Sequence, residues 1–177
     1  TDLYKHQWHV IDAVSRLESN LGNKFELHLI GGGEGNAQKK LEKSIKKFDP
    51  ENKFVYLHPF LNKDQIIKWL KKADIFVFAS SCENMPNTLI EAMAAGLPIA
   101  SSYRGPMIEI LKDGGIYFNP EDPDTILLAL EEIIGDSKLR ERLKIRAKNI
   151  SAYFSWEKCS SQTLEFIRST YLNQRIH

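Results

Sequence analysis

"IFVFASSCENMPNTLIEAMAAGLPIASS", residues 75–102, reads as one strand–loop–helix–strand unit. Residues 75–79 are a continuous apolar run, the pattern of a strand covered on both faces. Pro86 suits the first turn of a helix and not its interior, so the helix is predicted to open near Asn87. Residues 97–102 give the next short strand. This placement separates two acids that lie eight positions apart in sequence: Glu83 falls in the loop, and Glu91 falls just over one turn into the helix. The N–H groups of the helix start lack intrahelical acceptors and carry partial positive charge, so an anion site lies between the acids. Carboxylates accept hydrogen bonds from ribose or sugar hydroxyls, and a phosphorylated, hydroxyl-rich ligand fits the arrangement. A plain loop running into a helix with acids near its start fits it equally well.

The same alternation extends outward in both directions. Residues 6–21 carry a helical stripe of Trp8, Val10, Ile11, Val14 and Leu17, stopped by Gly22-Asn23. Residues 25–30 read as a strand entering the glycine run at 31–35, followed by a charged helix over 36–48 and a strand over 53–60. Asn62 with Gln65 forms a capping-box start for a helix over 64–73. Beyond the opening unit come a helix at 106–112 and a strand at 115–119. Asp122-Pro123 supplies N-cap and N1 for a helix reaching Gly135, Asp136-Ser137 opens another, and a last helix follows 154–156. Helices alternating with buried strands imply a doubly wound parallel sheet. Ligands of such folds bind at the carboxyl ends of the strands, here the loops at 31–35, 58–60, 80–86 and 101–106. No strand precedes the first helix, although a doubly wound unit normally opens with one, so the chain reads as a piece of something longer.

Composition narrows the function. The chain has 177 residues, the size of one domain. Lys+Arg 24 against Asp+Glu 23 gives a net charge of +1, with no basic excess to argue for nucleic acid. The basic runs at 39–47 and 68–72 alternate with apolar residues at helical spacing and read as solvated helix faces. No apolar stretch approaches the ~20 residues that span a bilayer, and no signal peptide is expected. Cys82 and Cys159 have no metal or redox spacing, and a reducing compartment fits them. His6 and His9 have no third ligand nearby in sequence, so no metal is expected. The glycine run, GGGEGNAQ, is neither a P-loop nor a dinucleotide fingerprint. It fits a tight turn or close backbone approach to a ligand.

Together, "ENMPNTLIEAMAAGLPIASS" (83–102) resembles the E-x7-E segment of the retaining, two-Rossmann-domain (GT-B) glycosyltransferases of the family 4 type. The usual form is close to E-G-F-P-N-T-L-I-E-A-M-A-x-G-x-P-V-x-x-S. "KKADIFVFASSCE" resembles the strand leading into that segment, "RGPMIEILKDGGIYFNPEDPDTI" the segment after it, and "LHLIGGGEG" the family's glycine loop. The likeness runs from about residue 4 to residue 156.

The resemblance implies the donor-binding, Rossmann-like half of such an enzyme. Residues 1–156 would form the nucleotide-sugar domain, its first strand and an arginine lying upstream of Thr1. Residues 157–177 would be a helix packing back on an absent acceptor-binding half. It further implies that Lys5 holds the donor's diphosphate and that Glu83 contacts the transferred sugar, these two being the catalytic pair. Glu91 would hydrogen-bond the ribose. Backbone amides at Asn84 and Met85 would meet the sugar, those at Asn87 and Thr88 the phosphates, and backbone near Phe60 the base, with Gly33 in the glycine loop beside the ligand. Glu109 reads as structural. The implied substrate is a UDP- or GDP-sugar of hexose type, with no metal and no cofactor, and the implied acceptor is a glycan or lipid. The enzyme would be cytoplasmic, with peripheral association at the membrane's cytoplasmic face. The fragment alone would be inactive and prone to dimerise through the last helix. The alternative reading is a non-catalytic nucleotide-binding or regulatory module. A receiver-like domain is disfavoured because no acidic cluster stands early in the chain. Three positions depart from the family pattern. Asn84 replaces a glycine, and asparagine tolerates left-handed backbone, so the loop is expected to keep its shape. Met85 replaces an aromatic, and His6 replaces the glycine after the lysine.

Overall fold

The computed structural model describes residues 2–22 and 24–173. After a 3-10 turn at Leu3–Lys5, the chain runs α1 (Gln7–Leu21), β1 (Leu27–Ile30), α2 (Gly35–Phe48), β2 (Val55–His58), α3 (Lys63–Lys72), β3 (Phe76–Phe78) and α4 (Asn87–Ala95). It continues through β4 (Ile99–Ser102), α5 (Pro106–Leu111), β5 (Gly115–Phe118), α6 (Pro123–Gly135), α7 (Ser137–Ser151) and α8 (Trp156–Asn173). Every strand pair is parallel: β1 pairs with β2, and β3, β4 and β5 pair in that order.

Side chains alternate across the strands and feed two cores. Val77 and Ala100 face a core that includes Val10, Ile11 and Val14 of α1, Ile126 and Ile133 of α6, and Leu29 of β1. Phe76, Phe78 and Ile99 face the other, with Leu89 and Met93 of α4 and Met107 and Leu111 of α5. Helix α7 joins them: Leu139 and Leu143 enter the first core, Ala147 and Ile150 the second. A sheet covered on both faces needs strands that are apolar throughout, which is why residues 75–79 lack polar alternation.

The helix starts follow the sequence closely. Asn62 and Gln65 make the reciprocal capping box. Asp122 accepts from Asp124 N–H ahead of Pro123, and Asp136 accepts from Lys138 and Leu139 N–H. Helix α4 begins at Asn87, with the buried Pro86 as N-cap, and ends at Gly96 in the left-handed conformation (φ +74°). Gly115 is required by space: a Cβ there would sit 2.6 Å from Leu111 Cδ2 and 2.7 Å from the Ile99 carbonyl oxygen.

Some expected boundaries shift. All five strands are shorter than the apolar runs suggested, and α2 begins one residue early, at Gly35. Apolar runs report burial, whereas a strand needs a paired ladder. Ala79 and Leu97 are buried and Phe25 packs on the core, yet all three lie outside the strands. The expected single sheet occurs as two pieces, with one edge of β1 and one edge of β3 unpaired among the described residues. Helix α1 ends at Leu21, before Gly22 at φ +65°. Asn23 of the expected stop, Thr1 and residues 174–177 of the expected terminal helix lie outside the described residues. Helix α8 keeps Trp156, Leu164, Phe166, Ile167 and Tyr171 exposed.

Candidate functional site

The loop at the carboxyl end of β3 and the segment before α1 are stitched together. Ser81 N–H donates to the Tyr4 carbonyl at 2.7 Å. The Ser81 hydroxyl lies 2.8 Å from His6 Nε2 and 3.4 Å from the same carbonyl. Lys5 Nζ reaches Glu83 Oε1 at 2.5 Å, with the two side chains 31% and 15% exposed. The ammonium also lies 5.1 Å from the Tyr4 ring and 5.6 Å from the Phe78 ring, where aromatic faces attract a cation. Lys5 and Glu83, assigned to one site from distant parts of the sequence, are therefore in direct contact.

The other expected residues surround helix α4 or stand on neighbouring loops. Asn84 and Met85 are exposed in the loop, and Asn87 and Thr88 are exposed at the start of α4. Pro86 accepts from Leu89 and Ile90 N–H, which closes the first turn. Asn87 N–H donates to the Met85 carbonyl at 2.9 Å, so of the two amides expected to meet phosphate this one is already engaged; the tight turn at Pro86 folds it back. The Glu91 side chain is exposed on α4 and has no hydrogen-bond partner among the described residues. Gly33 is half-buried in the loop after β1, and Phe60, two residues past β2, is 86% exposed. Glu109 is exposed in the first turn of α5. Gly33, Phe60 and Glu91 make no hydrogen bond to the Lys5–Glu83 pair.

Two further features escaped the sequence reading. Asn84 does not adopt positive φ; the left-handed non-glycine residue beside the site is His6, at φ +47°. The signal was present, because His6 stands where the resembled family has glycine. His6 is buried, and that burial first, then His9, lowers its pKa from the usual value. Its ring stacks on His9, whose Nδ1–H donates to the Pro120 carbonyl at 2.8 Å. The second feature is a histidine pair. His28 Nδ1 and His58 Nε2 lie 2.9 Å apart across β1 and β2, packed against Trp69. Burial, then His28, lowers the His58 pKa.

A depression of about 500 Å³ lies elsewhere, at the amino end of β2, lined by Glu42, Asp49, Asn52 and Val55. Its buried carboxylate, Asp49, accepts from Lys53, Phe54 and Val55 N–H and so ties the turn before β2. That role is structural. Among the described residues no group of three or more His, Cys, Asp or Glu side chains is arranged to hold a metal. No helix among them is long and apolar enough to cross a membrane.

The family model described as "Glycosyl transferases group 1" matches residues 2–150. An uncharacterised glycosyltransferase of Methanocaldococcus jannaschii is 29% identical over 157 residues, which cover 87% of this chain and 40% of that protein. The chain thus spans about 40% of the length of that relative. Among solved structures, sucrose-phosphate synthase from Thermosynechococcus elongatus superposes with a TM-score of 0.84 at 20% identity, covering 97% of this chain and 44% of its own. Anabaena HepE in complex with UDP-glucose gives 0.83 at 22% identity, covering 96% and 46%. These structural likenesses establish the fold: α/β, with parallel sheets of the Rossmann-like GT-B kind.

Proposed function

The chain belongs to the glycosyl transferases group 1 family, and from that premise we propose that it is the nucleotide-sugar-binding half of a retaining hexosyltransferase. The donor is a UDP- or GDP-sugar, and a glycan or lipid accepts the sugar through a second domain. The observation that carries this reading is the contact between Lys5 and Glu83 beside the start of α4. The UDP-glucose bound to HepE supports the choice of donor class.

In this reading the donor's diphosphate lies between the Lys5 ammonium and the start of α4. Cleavage of the sugar–phosphate bond leaves negative charge on the diphosphate. Lys5 and the Thr88 amide oppose that charge where it develops, without a metal or cofactor. Glu83 accepts from the sugar's hydroxyls and fixes the sugar's position, while Glu91 accepts from the ribose. Neither acid acts as a covalent nucleophile. Amides near Asn84 and Met85 border the sugar, and backbone near Phe60 and Gly33 borders the nucleotide. The exposed apolar side chains of α8 meet the acceptor-binding domain, or a second copy when that domain is missing. The enzyme works in the cytoplasm at the membrane's cytoplasmic face.

Substitution in the full-length enzyme tests the roles. Glu83→Ala lowers turnover more than nucleotide affinity, and Glu91→Ala does the reverse. Equal weakening of nucleotide binding by both contradicts the assignment.

A further inference from the structure

We propose that His6 is a positioning residue for the donor site: through Ser81 it holds residues 81–83 against Tyr4 and Lys5, and so sets where the Lys5 ammonium meets the Glu83 carboxylate. This rests on the reading of Lys5 and Glu83 as donor-site residues. His6 is 8% exposed, and its Nε2 lies 2.8 Å from Ser81 Oγ. Ser81 is held a second time by its backbone, at 2.7 Å from the Tyr4 carbonyl. Two residues further along is Glu83, and one residue before His6 is Lys5, whose side chains meet at 2.5 Å. The His6–Ser81 bond therefore lies across the base of the ion pair and closes it into a loop of contacts.

Two unfavourable features accompany His6. Its backbone sits at φ +47°, where glycine is unstrained and histidine is not. Its Nδ1 is buried with no hydrogen-bond partner. Glycine here removes both and also removes the link to Ser81. The ring's stacking on His9 and its tilted contact with Trp8 supply packing, but packing alone does not require a nitrogen directed at Ser81. When the Ser81 hydroxyl donates to the Tyr4 carbonyl, Nε2 carries the proton and donates to Ser81 Oγ, so one hydroxyl bridges both partners.

Amide hydrogen exchange and UDP titration of this chain test the proposal together. Gln carries an amide near the position of Nε2, whereas Asn tolerates the left-handed backbone but has no atom there. His6→Asn and Ser81→Ala are each expected to speed exchange of the Ser81 amide at least tenfold and to weaken UDP about fivefold. Amides of β3 and β4 keep their protection. The double variant is no worse than either single one, and His6→Gln restores most of both readouts. Exchange and affinity within twofold of wild type in His6→Asn overturn the proposal, as do additive losses in the double variant. So does a His6→Gln protein that behaves like His6→Asn, which assigns the effect to ring packing. If His6→Asn does not fold, Ser81→Ala against wild type decides. If the wild-type chain binds no nucleoside diphosphate, the donor reading fails, while the exchange arm still decides whether His6 positions the loop.

Discussion

Lys5 and Glu83 sit 2.5 Å apart, so each has an opposite charge beside it. A diphosphate brings more negative charge than one carboxylate and draws the ammonium toward itself. Under the proposed function Glu83 is then free to accept from the sugar's hydroxyls, so donor binding would exchange one ion pair for two contacts. The histidines add a pH dependence. Burial lowers the pKa of both His6 and His58 in the fold. Between the unfolded value, about 6.5, and those lowered values, the unfolded chain binds more protons than the folded one. Stability from this source is therefore complete above about pH 6.5 and is lost as pH falls through the folded pKa values. Urea unfolding at pH 7.5 and pH 5.5 is expected to give a lower midpoint at pH 5.5, with the difference reduced in His58→Gln. An unchanged difference in that variant removes His58 from the account. At this scale the family resemblance named Lys5 and Glu83 as candidates for one site, and the structure places their side chains in contact. The sequence did not disclose the His6–Ser81 contact, which joins residues 75 positions apart, nor the engaged Asn87 amide, which depends on how tightly Pro86 turns the chain.

Element boundaries were most legible where local chemistry sets them. Asn62, Asp122 and Asp136 each cap the helix that the sequence predicts, because a cap is made within three or four residues. Strand limits were less legible, because pairing depends on a neighbour distant in sequence. The tandem Gly114-Gly115 shows the same contrast. Neither has positive φ, so no turn argument explains them. The close approach of Leu111 and Ile99 at Gly115, and of Ala147 at Gly114, does. Gly115→Ala is expected to destabilise the chain by about 1–3 kcal/mol, the usual cost of overpacking, read as a lower urea midpoint with an unchanged m-value. A stable Gly115→Ala protein would mean that α5 shifts away from β4 and β5 at little cost.

Over the whole molecule, the alternation of strand and helix was readable from end to end, and the parallel α/β fold with two covered faces is what it implied. The division into two sheets was not legible, because which strands pair depends on contacts distant in sequence. The unpaired edges of β1 and β3 and the exposed apolar side chains of α8 mark two faces that the described residues do not cover. Lys5, Glu83, Thr88 and Glu91, the residues proposed to hold the donor, all belong to this chain, so the account expects it to recognise a nucleoside diphosphate by itself. Calorimetric titration with UDP, GDP and ADP, repeated on Lys5→Ala, tests that most directly. The account predicts saturable one-to-one binding of UDP or GDP. It also predicts a loss of roughly tenfold or more in Lys5→Ala, as expected for a charge-assisted hydrogen bond to phosphate of about 1.5–3 kcal/mol. No binding of any of the three, or equal binding by wild type and Lys5→Ala, would contradict it.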